Sequence, residues 1–309
     1  MRKTFIAIAF VFSFLPELFP QQFPITDNYL VNPFSLSPAF AGQCYKFETY
    51  LAYRSAWTGI TGAPTVGYLS LDGNIGKNMG LGGTIILNKA GIYRNFAFNI
   101  DYAYHLQIAK EHTLSFGING AIYQNSVDYS GAIVSDPSDP LLTGRNKLSE
   151  VYVNAGFSML YTWKDLNICF AFPLLVNNRS YYSISDTNHL LGMGRNWLFY
   201  ANYSLPLGSE WKLKFDLLYR ATQFAPWTVD FSTLVKFKDS YWLGLFYRKN
   251  NIIGVTAGLA IVNSIVINYN YEFSGFAMNG QSGGSHEITL GYRLPFTTKK
   301  IPALKDYNR

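Results

Sequence analysis

The sequence predicts an all-β protein: a transmembrane antiparallel β-barrel of about 14 strands with both termini periplasmic. Three observations carry that prediction. From about residue 45 onward the chain consists of short segments in which aromatic and aliphatic residues alternate with polar ones, the period-two pattern of strands. Beyond the N-terminus no stretch reaches the roughly 18 consecutive apolar residues that a spanning helix needs, so any crossing has to use strands. The connections alternate between tight turns and longer stretches, as in barrels whose short turns and long loops lie on opposite rims. Composition alone does not separate this from a large soluble β-protein. The 309 residues are 49% hydrophobic and 17% aromatic, yet the mean hydropathy is only +0.04, because lipid-facing apolar positions alternate with lumen-facing polar ones.

Arg2 and Lys3 precede an apolar run from Phe5 to Leu15, so residues 1–20 read as a secretory signal peptide cleaved near Gln21. Residues 21–45 form an N-terminal periplasmic or plug segment. Its prolines Pro33 and Pro38 forbid a regular ladder, and Asn32, Pro33, Pro38, Phe40 and Gly42 are the candidates to plug the lumen or contact a partner.

The barrel is expected over residues 46–296. Its strands are predicted at about 46–57, 64–74, 78–88, 95–107, 111–125, 149–163, 166–174, 196–206, 210–221, 227–238, 240–248, 251–262, 264–274 and 285–295. Parity is plain in the fourth, where Phe96, Phe98, Ile100, Tyr102, Tyr104 and Leu106 share one face and Asn99, Asp101, His105 and Gln107 the other. Trp211, Leu213, Phe215, Leu217 and Tyr219 alternate in the same way with Lys212, Lys214 and Asp216. Trp57, Trp163, Trp197, Trp211 and Trp227 near strand ends fit interfacial girdles.

The tight connections "GKN", "KE", "KD", "PLGSE", "KDS" and "NS" fall on one rim, whereas about 126–148 and 175–195 fall on the other with the shorter "RKNN". The long loops are expected outside the cell, with Asp128, Asp136, Asp139, Arg179, Asp186 and His189 exposed there. The last strand, "HEITLGYRLPF", has the look of a C-terminal barrel-assembly signal, and residues 297–309 form a basic periplasmic tail.

Glu48, Arg54, Asp101, His105, Asp216, Arg220, Asp230, Glu272, Glu287 and Arg293 fall on the predicted lumen face. They read either as a matched, rigidifying interior or as a charge-selective path. Cys44 and Cys169 are either free or a single disulfide, and their spacing carries no metal signature. Asp128, Asp136 and Asp139 lack the ligand spacing of a calcium loop and read as turn formers. Asp186, His189 and His286 have no nucleophile or supporting partner in the sequence, so no catalytic, metal or cofactor site is expected. The net charge of +6 is spread along the chain and forms no nucleic-acid stripe, although it suits anionic lipid headgroups.

"YLVNPFSLSPAFAG" (29–42), "YRSAWTGITGAPT" (53–65), "MGLGGTIILNKAGIYRN" (79–95), "LSFGINGAIYQN" (114–125), "DPSDPLL" (136–142) and "GSHEITLGYR" (284–293) occur in that order. Together they resemble the PorP/SprF family, outer-membrane proteins of the type IX secretion and gliding apparatus of Bacteroidetes. The likeness runs from about Gln22 to Leu294, and residues 175–235 carry no matching motif. The resemblance implies a non-enzymatic barrel that assists export or surface attachment of large adhesin-type proteins. Its partners would be membrane lipid, a secreted substrate protein and other secretion-system components at the periplasmic rim. The rival readings are a passive porin or small-solute transporter and, more remotely, an outer-membrane hydrolase.

Overall fold

Fourteen strands wind in chain order into a closed antiparallel barrel, seen in a computed structural model that describes residues 26–130, 147–176, 194–223, 225–249, 251–262, 264–273 and 281–296. They are β1 (Phe47–Ser55), β2 (Thr65–Gly76), β3 (Met79–Ala90), β4 (Tyr93–Ala109), β5 (His112–Asp128), β6 (Lys147–Trp163), β7 (Leu166–Leu174), β8 (Asn196–Leu207), β9 (Trp211–Thr222), β10 (Thr228–Phe237), β11 (Tyr241–Arg248), β12 (Ile252–Ile261), β13 (Ile265–Glu272) and β14 (Ser285–Leu294). The β1–β14 ladder, from Phe47 opposite Leu294 to Ser55 opposite His286, closes the sheet, so that no strand is an edge strand. Closure satisfies the backbone within the sheet, which hydrocarbon demands of any spanning structure.

Alternation sorts the side chains. Along β11, Tyr241, Leu243, Leu245 and Tyr247 are exposed on the outer wall, whereas Trp242, Phe246 and Arg248 are buried within. Trp57, Trp163, Trp211 and Trp227 are exposed near strand ends, at the depth where amphipathic rings favour headgroups. Trp242 departs from that pattern: it faces inward and donates from Nε1 to Asn268 Oδ1 at 2.7 Å.

Connections of two or three residues join β2–β3, β4–β5, β6–β7, β8–β9, β10–β11 and β12–β13 on the rim where β1 begins and β14 ends. Strands β5 and β7 end, and β6 and β8 begin, on the opposite rim, the one to which the sequence assigns the long loops. Three strands run slightly past their expected ends: β4, β5 and β6 are each 17 residues long, and β5 and β6 stay in register up to Asp128 opposite Lys147. Asp128 therefore terminates a strand and is not a loop residue. The β6–β7 ladder covers only Phe157 to Trp163, so the β5–β6 hairpin rises beyond its neighbour on the long-loop side. Asp136, Asp139, Arg179, Asp186 and His189, together with segments 1–20 and 297–309, lie outside the described residues.

Candidate functional site

The lumen is occupied by the chain's own N-terminal segment. Between Asp27 and Lys46 the backbone folds into three 3-10 turns, Asn28–Leu30, Pro33–Ser35 and Pro38–Phe40. Proline opens the second and third, where its fixed φ and missing N–H cost least. Ser37 Oγ caps the third turn by accepting from the Ala39 N–H at 3.2 Å. Such short turns bury little backbone polarity of their own, so the barrel wall supplies partners.

Those partners come from all around the barrel. Asn32 Nδ2 donates to Ser70 Oγ on β2 at 3.0 Å, and the Ala39 N–H donates also to Ser158 Oγ on β6 at 3.1 Å. The Gly42 N–H donates to Asp72 Oδ2 at 2.7 Å. Lys214 and Arg293 donate to the carbonyls of Leu30 and Val31 at 3.3 and 2.9 Å. His105 Nε2 donates to the Ala41 carbonyl at 2.9 Å, a bond that fixes its tautomer because a carbonyl only accepts. Tyr29, Leu30, Phe34, Ala39 and Phe40 join Tyr50, Leu160, Cys169, Tyr200, Leu218 and Leu234 of the wall in one apolar cluster. Tyr200 takes both Tyr29 and Phe40 edge-on, with ring centroids 6.1 Å apart in each pair.

Close approach explains two glycines of the sequence motifs. A Cβ on Gly80 would stand 1.9 Å from the Ala41 carbonyl oxygen, and one on Gly117 would stand 2.3 Å from the Ala39 nitrogen. Gly42 itself has φ +65° and lies against Gly73, so it needs both the left-handed backbone and the missing side chain.

The segment's first described turn is held by charge. Asp27 is fully buried, and its carboxylate accepts from Arg54 Nη1 at 2.6 Å and Arg248 Nη2 at 2.5 Å. The Asp27 N–H donates to Glu287 Oε2 at 2.9 Å. Arg54 also pairs with Glu272. Arg248 bridges Glu272 Oε1 at 2.5 Å and Asp230 Oδ2 at 3.0 Å, and Asp230 also accepts from Arg220 at 2.5 Å. Four carboxylates thus meet three guanidiniums in one desolvated network. Burial alone would raise the Asp27 pKa, but Arg248 and then Arg54 outweigh it and hold the carboxyl at about 2.

Of the residues singled out by sequence, Asn32, Pro38, Phe40 and Gly42 are buried in the lumen and Pro33 is half-buried. Glu48 and Arg293 stand near the terminus-side rim around Tyr50, while Arg54 and Glu272 belong to the Asp27 network. Asp101 is in neither group. Asp128 is half-buried at the end of β5 and accepts from Ser130 Oγ at 2.6 Å. Cys44 and Cys169 are both free thiols. Sequence reasoning missed Asp27, Asp72 and Arg248. Parity along β11 places Arg248 inward, but its neighbours in "RKNN" read as a turn; Asp27 sits among 3-10 turns with no periodicity to count.

The segment divides the lumen in two. On the long-loop side lies a cavity of about 1090 Å³, including the part continuous with solvent, floored by Phe34, Leu36 and Pro38. On the terminus side a smaller space of about 600 Å³, measured in the same way, is bordered by Cys44, Tyr45, Glu48, Lys236 and Arg293. Burial raises the Cys44 thiol pKa above its ordinary value, and Glu48 and Asp72 add to that, so the thiol stays protonated.

With the geometry established, the family model for the type IX secretion system membrane protein PorP/SprF matches residues 18–292. The chain belongs to the PorP/SprF family. Its closed barrel and its family place it in the outer membrane. No curated protein matches the chain in sequence. Among solved structures it is similar to the toluene transporter TbuX of Ralstonia pickettii, at 10% identity and TM-score 0.50 over 86% of this chain and 93% of that one. It is also similar to the monoaromatic hydrocarbon channel CymD, at 10% identity and TM-score 0.51 over 89% and 95%. The toluene transporter TodX of P. putida is similar at 9% identity and TM-score 0.51 over 88% and 95%. At these identities the likeness concerns the barrel fold alone. The family is that of a type IX secretion system membrane protein.

Proposed function

We propose that this PorP/SprF barrel is a non-enzymatic component of type IX secretion that assists export or surface attachment of large, adhesin-type proteins through its rims. In this reading the terminus-side rim faces the periplasm and meets other secretion components. The long-loop rim faces outward and contacts the exported protein. Residues 21–45 act as a plug, and the lumen charges fasten that plug instead of conducting.

The observation that carries the reading is the filled lumen. A segment bonded to strands on every side of the wall, around a buried apolar cluster, leaves the rims as the surfaces on which a large partner can be engaged. The β5–β6 hairpin, which rises past β7, adds surface on the long-loop rim.

A loop graft tests it. Replacing residues 129–146 and 175–195 with short turns leaves the ladders intact, and the expected result is an inserted barrel whose exported partner is no longer displayed at the cell surface. Unchanged display of every exported protein by the inserted graft would reject the rim-contact role.

A further inference from the structure

We propose that the cavity on the long-loop side is a binding site for an organic cation, a primary ammonium on an apolar stem, with Asp101 as its counter-ion. The site lies beyond what the secretion role requires and stands independently of it.

Asp101 sits on the lumen face of β4, lines this cavity and is only 5% exposed. Its Oδ2 has no hydrogen-bond partner, and no cation among the described residues pairs with it. Of the other buried carboxylates, Asp27, Asp230, Glu272 and Glu287 share the Arg54 and Arg248 network, whereas Asp72, level with Asp101 across Gly82 of β3, accepts from the Gly42 N–H and does not line this cavity. Arg220 reaches the same cavity from β9 but is already neutralised by Asp230. A lone desolvated carboxylate is costly unless something supplies the missing donor.

The surroundings define that donor. Phe34, Val66, Tyr68, Ile86 and Tyr123 line the cavity beside Asp101. Aliphatic groups suit an alkyl stem, and aromatic faces attract an organic cation. Inorganic cations are less well served, because Asp101 is the single carboxylate of the lining and the oxygens around it, from Thr84, Asn99 and Asn119, are neutral, too little charge to replace the hydration of a divalent ion. Such an ammonium occurs either as a free small amine or as a lysine side chain of a docked polypeptide.

The test is calorimetric titration of the intact mature barrel in detergent micelles, corrected against empty micelles, with n-butylammonium and its uncharged isostere n-butanol. The expected result is a preference for n-butylammonium of about tenfold or more, lost in Asp101→Asn while n-butanol binding stays unchanged. Val66→Trp, which fills the cavity without touching the carboxylate, should abolish both. Heat-modifiable gel migration shows whether each variant has folded. A capped Leu-Lys-Leu peptide distinguishes the sources: its binding assigns the site to a lysine side chain, and its failure beside n-butylammonium binding assigns it to a free amine. Equal binding of amine and alcohol by the wild-type barrel, or an ammonium affinity unaffected by Asp101→Asn in a folded barrel, would overturn the proposal.

Discussion

Replacing Asp27 with asparagine keeps the shape of the side chain and removes the charge that fastens the lumen segment. In the docked state the carboxylate accepts from Arg54 and Arg248 at 2.6 and 2.5 Å with no solvent contact. Holding its pKa at about 2 against an ordinary 3.8 corresponds to about 2 kcal/mol of docking free energy at neutral pH. Asparagine forfeits a contribution of about that size and leaves two guanidiniums with one acceptor fewer, so the undocked fraction should rise about thirty-fold. Cys169 reports it. Its thiol is fully buried on the inner wall with Ser37 of the segment against it, and it becomes reachable only when the segment leaves. In a Cys44→Ser background, methanethiosulfonate should modify Cys169 about thirty times faster in Asp27→Asn than in its parent. Equal rates would refute the claim that this carboxylate holds the segment.

Three further outcomes follow from the same contacts. Gly80→Ala should force the segment away from β3 at a cost of about 1–3 kcal/mol, whereas Gly120→Ala, with no atom within 4 Å of the added methyl, should be silent; Cys169 labelling compares the two. Arg248→Ala should destabilise the lumen network by about 3–5 kcal/mol, because Asp27, Asp230 and Glu272 lose a shared guanidinium. Arg248→Lys should recover only part of that, since one ammonium does not fork to three carboxylates; urea unfolding in lipid vesicles reads both. Acid should loosen the segment: the folded Asp27 pKa lies below its unfolded value, so its contribution is complete above about pH 4 and fades toward pH 2. Asp27→Asn should lack that component of the pH profile of Cys169 labelling.

The barrel was legible because lipid outside and a polar lumen impose opposite demands on alternate residues, so parity along segments such as Phe96–Gln107 reads both faces at once. Strand ends were less so. The extra residues that carry β5 to Asp128 and start β6 at Lys147 pair with each other, and nothing in either strand alone marks that ladder. The prolines announced an irregular N-terminal segment, but its path was hidden because 3-10 turns have no countable period. Its fastening was hidden too, since Asp27 and Arg248 meet across 221 positions. Gly80 and Gly117 were visible as motif letters; their reason, the backbone of residues 39–41 pressed against them, appears only in three dimensions.

The central claim is that this outer-membrane barrel is closed by its own N-terminal segment and works through its rims. Planar-bilayer recording of the intact mature protein tests it most directly. The account predicts electrical silence at neutral pH, with conductance appearing once residues 27–42 are deleted. Stable ohmic conductance from the intact protein, unchanged by that deletion, would contradict it.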